Sequence, residues 1–510
     1  MLIKSEKGNK YLLSKKIPQV LLLHPLLAYL IELNYKKDGS LKNWVRNFKG
    51  GFIKLNGERV KLSKEELKYY YEYFLFLKTN SYFSNNRKIR LGEVINYNSD
   101  KIKFYLANTE QICFEVTDDC NLKCKYCGYG ELYNGYDERR GKKISIKAAK
   151  KIIDYLITLK KEYLGYIKTN KKILISFYGG EPLLNISFIK KIVDYIKQIR
   201  TPNFEFLFSM TTNGTLLHKY TDFLFDNDFL LLISLDGDKR NNEYRVFANG
   251  RPTYNIILKN IFELKRKYPV YFERSVNFIS VIHNKNSIYQ VLKYFKDKFK
   301  KHPITIGLSN VGVRPDKKEE FEKLKNRFLM DLNIKEIEKN LQKMELSDFP
   351  RLKRVEDFIK VYSGFVFNKI GSLLYRRENI NYITTGTCNP FQKKVFVTVN
   401  GKILPCEKIS QKFFLGRVDK ENIILNFQNI ADKYNEFYKK MSVLCDNCYN
   451  SELCHQCILF LNLEDDRIKC SNFLNYNNFK KKISYIISLL ENTPNYYKQI
   501  LNNLEKESKI

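Results

Sequence analysis

Residues 120–127 read Cys120-Asn121-Leu122-Lys123-Cys124-Lys125-Tyr126-Cys127, a C-x3-C-x2-C run. Three thiolates on one short loop can hold three irons of a cubane iron–sulfur cluster and leave the fourth open, whereas most cluster sites are filled by four cysteines. An open iron is a place for a substrate or cofactor to bind, as the open position is at a catalytic zinc. Three cysteines at fixed spacing arise by chance in roughly 0.005 of chains of this length and cysteine content, so coincidence is a poor account of them. A structural zinc knuckle would want a fourth ligand nearby. The next histidine downstream is His218 and the next cysteine is Cys388.

Working outward, residues 111–310 alternate between strand-like and helix-like runs. Ile112–Thr117, Ile173–Phe177, Phe204–Met210, Leu230–Leu235, Ser275–Val281 and Ile304–Ser309 are short β-rich or apolar runs bounded by turn residues. Between them, 146–161, 187–199, 216–227, 254–268 and 286–300 carry apolar residues at helical spacing. Six β/α units in series predict an α/β fold with a parallel sheet. Six strands are too few for a closed eight-stranded barrel, so an open, curved partial (β/α)6 barrel is expected. Ligands in such sheets bind at the C-terminal strand ends. The cysteine loop follows the first strand, Tyr178-Gly179-Gly180-Glu181-Pro182 the second, Thr212-Asn213-Gly214 the third, and Ser234-Leu235-Asp236-Gly237 ends the fourth. Turn formation alone accounts for any one of these motifs. Four at successive strand ends point to one rim.

The loop resembles the cluster loop of the radical S-adenosylmethionine (SAM) enzymes. That resemblance implies a [4Fe-4S] cluster on Cys120, Cys124 and Cys127, whose open iron chelates the amino and carboxylate groups of SAM. One electron then breaks the sulfonium bond and releases a 5′-deoxyadenosyl radical. It also implies cofactor contacts. Tyr126 would lie beside the adenine. Gly179 and Gly180 would let the backbone approach the SAM amino group, with Glu181 nearby. Asn213 would reach the ribose or carboxylate region, and Ser234 and Asp236 the ribose. Arg245 follows a segment where relatives often carry a His-Asp pair. Here the segment is Asn241-Asn242-Glu243-Tyr244. Turn capping and packing are the competing readings for these side chains.

A second constellation lies in residues 381–480: Cys388, Cys406, Cys445, Cys448, Cys454, Cys457 and Cys470. It resembles the SPASM extension of peptide-modifying radical SAM enzymes, which carries two auxiliary [4Fe-4S] clusters, although relatives usually place three residues between the cysteines matching Cys454 and Cys457. The resemblance assigns Cys445, Cys448, Cys454 and Cys470 to an outer cluster and Cys388, Cys406 and Cys457 to an inner one. The inner set lacks one thiolate. Positions 389–394, where some relatives add a cysteine, read Asn-Pro-Phe-Gln-Lys-Lys. A pair of zinc knuckles is the alternative, since C-x2-C pairs suit zinc equally. Cys113, among apolar neighbours in the first strand, reads as a buried structural thiol.

The chain is 510 residues long, enough for several domains. The expected division is an N-terminal α+β module over 1–105, a barrel over 106–310, a helical linker over 311–380, a SPASM domain over 381–480 and a C-terminal helix over 481–510. Ser63-Lys64-Glu65-Glu66 reads as a capping box. The N-terminal mixture of strands and helices is winged-helix-like, and relatives use such a module to hold a leader peptide by strand addition; a plain scaffold is the other reading. The net charge is +34. With lysines spread along the chain, this reads as codon bias rather than a nucleic-acid patch, and nucleic acid is not the expected partner. Leu21–Ile31 is short and holds His24 and Pro25, so no membrane span is expected. The cysteines then belong to a reducing, cytoplasmic compartment. The expected function is a peptide maturase. It would act on a ribosomally made peptide and draw electrons from a flavodoxin- or ferredoxin-type donor. The alternatives are a sulfatase-maturase-like oxidase of Cys or Ser and, in another class, a basic zinc-containing nucleic-acid-binding protein.

Overall fold

A computed structural model describes residues 1–36, 41–84, 95–164, 172–201, 204–325, 350–362, 385–461, 468–470, 472–494, 497 and 500. Six parallel strands follow one another across the barrel sheet: β6 (Gln111–Thr117), β7 (Lys172–Gly179), β8 (Glu205–Thr212), β9 (Leu230–Ser234), β10 (Val276–Ile282) and β11 (Ile304–Gly307). Helices Ile146–Glu162, Ile186–Gln198, Leu217–Asp226, Tyr254–Lys267 and Ile288–Phe299 lie between consecutive strands. The expected partial barrel is therefore present, with strand bounds within two residues of the sequence reading.

Alternation places the two strand faces. Ile112, Phe114 and Val116 are buried, and Phe114 packs edge-on against Phe188 of the second helix. This is the helix-facing side. The opposite face is the lumen. There Gln111 Nε2 donates to Ser176 Oγ at 2.5 Å and Ser176 meets Ser209 at 2.6 Å across three neighbouring strands.

The barrel sheet does not stop at β6. β12 (Val395–Val397) pairs parallel to β6, Val395 opposite Ile112, and the hairpin partners β13 (Lys402–Leu404), β14 (Gly416–Val418) and β15 (Ile423–Ile424) extend one ten-stranded sheet. The turn before β13 needs Gly401: its φ is +72°, and a Cβ there would stand 2.0 Å from the Val418 carbonyl oxygen. The second cysteine set is thus fastened to the first barrel strand by backbone pairing, which local sequence pattern could not foretell.

At the N-terminus, β1 (Leu2–Lys4), β2 (Lys10–Ser14) and β3 (Gln19–Leu22) form a three-stranded sheet, and β4 (Gly51–Leu55) and β5 (Glu58–Leu62) form a hairpin. Helices Pro25–Lys36 and Lys64–Thr79 pack with them around Leu27, Ile31, Leu67 and Phe74. The capping box forms: Ser63 Oγ accepts from Glu66 N and Ser63 N donates to Glu66 Oε2, both at 3.0 Å. A C-terminal helix begins at Tyr476 rather than 481 and runs to Asn492; residues 501–510 lie outside the described residues. It packs on β1 and β2 through Ile3, Phe479, Ile483 and Ile486, and Tyr11 donates to Glu491 at 2.6 Å. In the expected linker, helices Lys318–Leu324 and Pro350–Tyr362 are described, and 326–349 and 363–384 lie outside.

Candidate active site

The loop after β6 is held by the loop after β7. Gly180 N donates to the Thr117 carbonyl and Glu181 N to the Asp119 carbonyl, both at 2.9 Å. The two chains are so close that a Cβ on Gly179 would stand 2.4 Å from Thr117 O, and one on Gly180 2.0 Å from Asp119 O. These glycines let backbone approach backbone. The expectation was approach to a ligand; what they approach here is the start of the cysteine loop, one and three residues before Cys120.

Glu181 is fully buried and its carboxylate accepts from Asn213 N (2.7 Å), Thr212 Oγ1 (2.8 Å) and Leu183 N (3.1 Å). Burial pushes this carboxyl up to about 7, against the pull of those donors. Glu181 therefore pins the end of β8 to the end of β7. Asn213 in turn donates to Asn121 Oδ1 at 2.8 Å and reaches Cys120 Sγ at 3.8 Å, and its Oδ1 accepts from Thr215 N at 3.0 Å. It caps its own turn and braces the cysteine loop.

The three thiols share one polar neighbourhood. Cys120 Sγ accepts from Leu122 N at 3.4 Å, and Cys127 Sγ from Arg139 Nη2 at 3.3 Å. Arg139 also lies over the Tyr129 ring, 4.8 Å from its centroid. Burial first, with neighbouring sulfurs adding to it, pushes Cys120 up to about 11 and Cys124 up to about 12. Such thiols lose their protons to a bound metal rather than to water. N–H donors aimed at sulfur stabilise thiolates on an iron–sulfur cluster and fit that group. Among the described residues no three His, Cys, Asp or Glu side chains close around the space of a single ion. A cubane, with thiolates standing farther apart than the ligands of one ion, sets no such requirement.

Past β9, Asp236 is fully buried and its oxygens are engaged: Arg245 Nε donates to Oδ2 at 3.1 Å, Arg245 Nη2 to Oδ1 at 3.3 Å, Val281 N to Oδ1 at 2.9 Å, and the Tyr126 hydroxyl to Oδ2. Burial acts to lower the Arg245 guanidinium, but Asp236 outweighs it and holds it well above its usual range. The Tyr126 ring has Arg245 on one side (5.5 Å) and stacks with His283 at 5.6 Å. Asp236 is thus the hub that ties the cysteine loop to β9 and β10. Ser234 is half-buried at the end of β9. Glu243 pairs with Lys285 at the surface.

His283 was missed. It is fully buried one residue beyond β10, its Nε2 within 3.0 Å of the Asn241 carbonyl and its N–H on Asn286 Oδ1. Its signal was position: the residue just past the fifth strand, on the same rim.

In the second set, Cys445 has Cys454, Cys448 and Cys470 as electrostatic neighbours; burial first, then these sulfurs, pushes it up to about 12. Cys457 has Cys388 as an electrostatic neighbour, and both lie within electrostatic reach of buried Tyr434. Cys406, pushed up to about 12 by burial and then by Glu407, lies on the barrel side. Cys113 is buried on β6, as expected, with Lys394, Glu407 and Cys406 as electrostatic neighbours.

Residues 114–295 match the Radical SAM superfamily. An uncharacterized protein of Methanocaldococcus jannaschii, MJ0907, is 33% identical over 232 residues, covering 43% of this chain and 71% of that one. The chain belongs to the radical SAM superfamily, whose members hold a [4Fe-4S] cluster and SAM. Within it, the chain is a relative of the anaerobic sulfatase-maturating enzymes. The cysteine-type enzyme of Clostridium novyi is 27% identical over 384 residues, covering 72% of this chain and 94% of that enzyme. A solved structure of anSMEcpe with AdoMet bound shares the fold, with a TM-score of 0.50 at 21% identity over 78% of this chain and 99% of that one. Among the described residues no helix is long and apolar enough to cross a membrane.

Proposed function

We propose that this radical SAM enzyme modifies a peptide or protein substrate, with Cys120, Cys124 and Cys127 holding the SAM-binding cluster and the seven later cysteines holding two auxiliary clusters. When bound, cluster and SAM supply one-electron cleavage to a 5′-deoxyadenosyl radical. The chain's own residues build the place for that step. Gly179 and Gly180 seat the cysteine loop against β7. Glu181 and Asn213 fix the adjoining turn. Asp236, Arg245, Tyr126 and His283 form a dry, interlocked wall. The protein's share is orientation and exclusion of water.

The observation that carries the peptide reading is the β12–β13 hairpin. It adds to β6 and brings Cys406 to the barrel side, within electrostatic reach of Cys113. A cluster there would stand beside the space in which a radical is released. The N-terminal module is proposed as a leader holder. Tyr69, Tyr73 and Phe76 stand exposed at i, i+4 and i+7 on the helix Lys64–Thr79, and Phe52 is exposed on the hairpin beside it. An acidic electron donor suits the positive net charge. The Clostridium novyi relative favours a narrower reading, oxidation of one Cys or Ser in a protein. A search for a neighbouring gene that encodes a short peptide, followed by co-expression and mass spectrometry of that peptide, tests the proposal. A crosslinked, oxidised or epimerised peptide is expected. An unmodified peptide together with an oxidised sulfatase motif would select the narrower reading.

A further inference from the structure

The inner cysteine set, Cys388, Cys406 and Cys457, offers three thiolates where a cubane has four corners. What stands beside Cys406 is an ion pair. Lys394 Nζ lies 2.7 Å from Glu407 Oε2, with the two side chains only 19% and 10% exposed. Glu407 Oε2 is 3.7 Å from Cys406 Sγ, and Lys408 N donates to the same sulfur at 3.4 Å. Lys394 immediately precedes β12, the strand that pairs with β6. A buried pair of this kind is a poor source of stability, because desolvating both charges offsets most of their attraction. Apolar residues would close this position at least as well. The pair makes sense if the carboxylate has a second partner, and iron accepts carboxylate ligands readily.

We infer that Glu407 closes the inner auxiliary cluster: a carboxylate oxygen takes the iron that no thiolate reaches, and Lys394 is the positioning residue that holds the carboxylate in place. This rests on the proposed assignment of Cys388, Cys406 and Cys457 to a cluster. It follows that the substrate does not coordinate that cluster.

The test uses the full chain carrying Cys120→Ala, Cys124→Ala and Cys127→Ala, so that only auxiliary clusters remain, reconstituted anaerobically and reduced. The readouts are iron per chain and the hyperfine coupling of added ¹³C-cyanide, which binds an open iron. With Glu407 present, about eight irons and no ¹³C coupling are expected. Glu407→Gln should show coupling to cyanide, and Glu407→Cys should restore resistance with shifted g values. Coupling in the Glu407-bearing protein would overturn the inference, because the corner would already be open. So would Glu407→Gln with full iron and no coupling, because another group would then close the corner. If Glu407→Gln loses iron, Glu407→Cys decides: full iron without coupling supports the assignment, and coupling there refutes it. Zinc in place of iron would overturn the cluster assignment itself, a different result from any of these.

Discussion

Replacing Gly180 with alanine puts a methyl group 2.0 Å from the Asp119 carbonyl oxygen, 2.5 Å from its carbon and 3.0 Å from Asp118 O. All three atoms are backbone, so no side chain can swing aside. Reaching ordinary contact at 3.4 Å means opening the gap by about 1.4 Å. That movement breaks Gly180 N to Thr117 O and Glu181 N to Asp119 O, the two bonds that seat the cysteine loop. Each is worth about 0.5–1.5 kcal/mol, and overpacking adds about 1–3 kcal/mol, for a local cost of about 2–6 kcal/mol. The barrel core is remote from this contact and should survive. The expected outcome is a folded protein that loses iron from its first cluster, keeps the rest, and cleaves SAM at least ~10²-fold more slowly, the usual penalty of a misplacement near 1 Å. Iron and sulfide analysis, paramagnetic resonance and timed assay of 5′-deoxyadenosine would measure it. A Gly180→Ala protein with wild-type iron and wild-type cleavage would refute the claim that this contact positions the loop.

Arg245→Leu leaves the Asp236 carboxylate buried without its guanidinium, so it should cost about 3–5 kcal/mol and lower the melting temperature sharply; an unchanged denaturation curve would contradict the hub. Burial raises Glu181 to about 7 from an ordinary 4.5, so its contribution to stability is fully present below about pH 4.5 and is lost as pH rises through about 7. Glu181→Gln should remove that fall, and parallel stability–pH curves for the two proteins would argue against it. Changing Tyr69, Tyr73 and Phe76 together to serine should weaken peptide binding by about tenfold or more in fluorescence titrations while leaving uncoupled SAM cleavage intact. Equal affinity would reduce the N-terminal module to a scaffold.

The parallel sheet was legible because each strand is a short apolar run, and turn motifs at the C-terminal ends of the first four point to one rim. Identity of partner was not legible. The apolar run Val395–Val397 is strand-compatible but cannot say that it pairs with β6, since pairing depends on residues some 280 positions away. Gly179 and Gly180 could be read as residues that admit a close neighbour, but that their backbone packs against Thr117 and Asp119 needed the fold. Asp236 and Tyr126 were singled out as cofactor contacts, while the hydrogen bond joining them needed the fold. His283 had only its place past the fifth strand to mark it, and the Lys394–Glu407 pair carries no motif, so that only burial in the folded chain makes the pair notable.

The account depends on a cage of three thiolates at the end of β6 that binds SAM and splits it. The most direct measurement is assay of 5′-deoxyadenosine and methionine after anaerobic reconstitution and reduction with dithionite, in the native chain and in Cys124→Ala. The native chain should release both products and Cys124→Ala neither. Cleavage persisting in Cys124→Ala, or a native protein that takes up zinc and no iron, would contradict it.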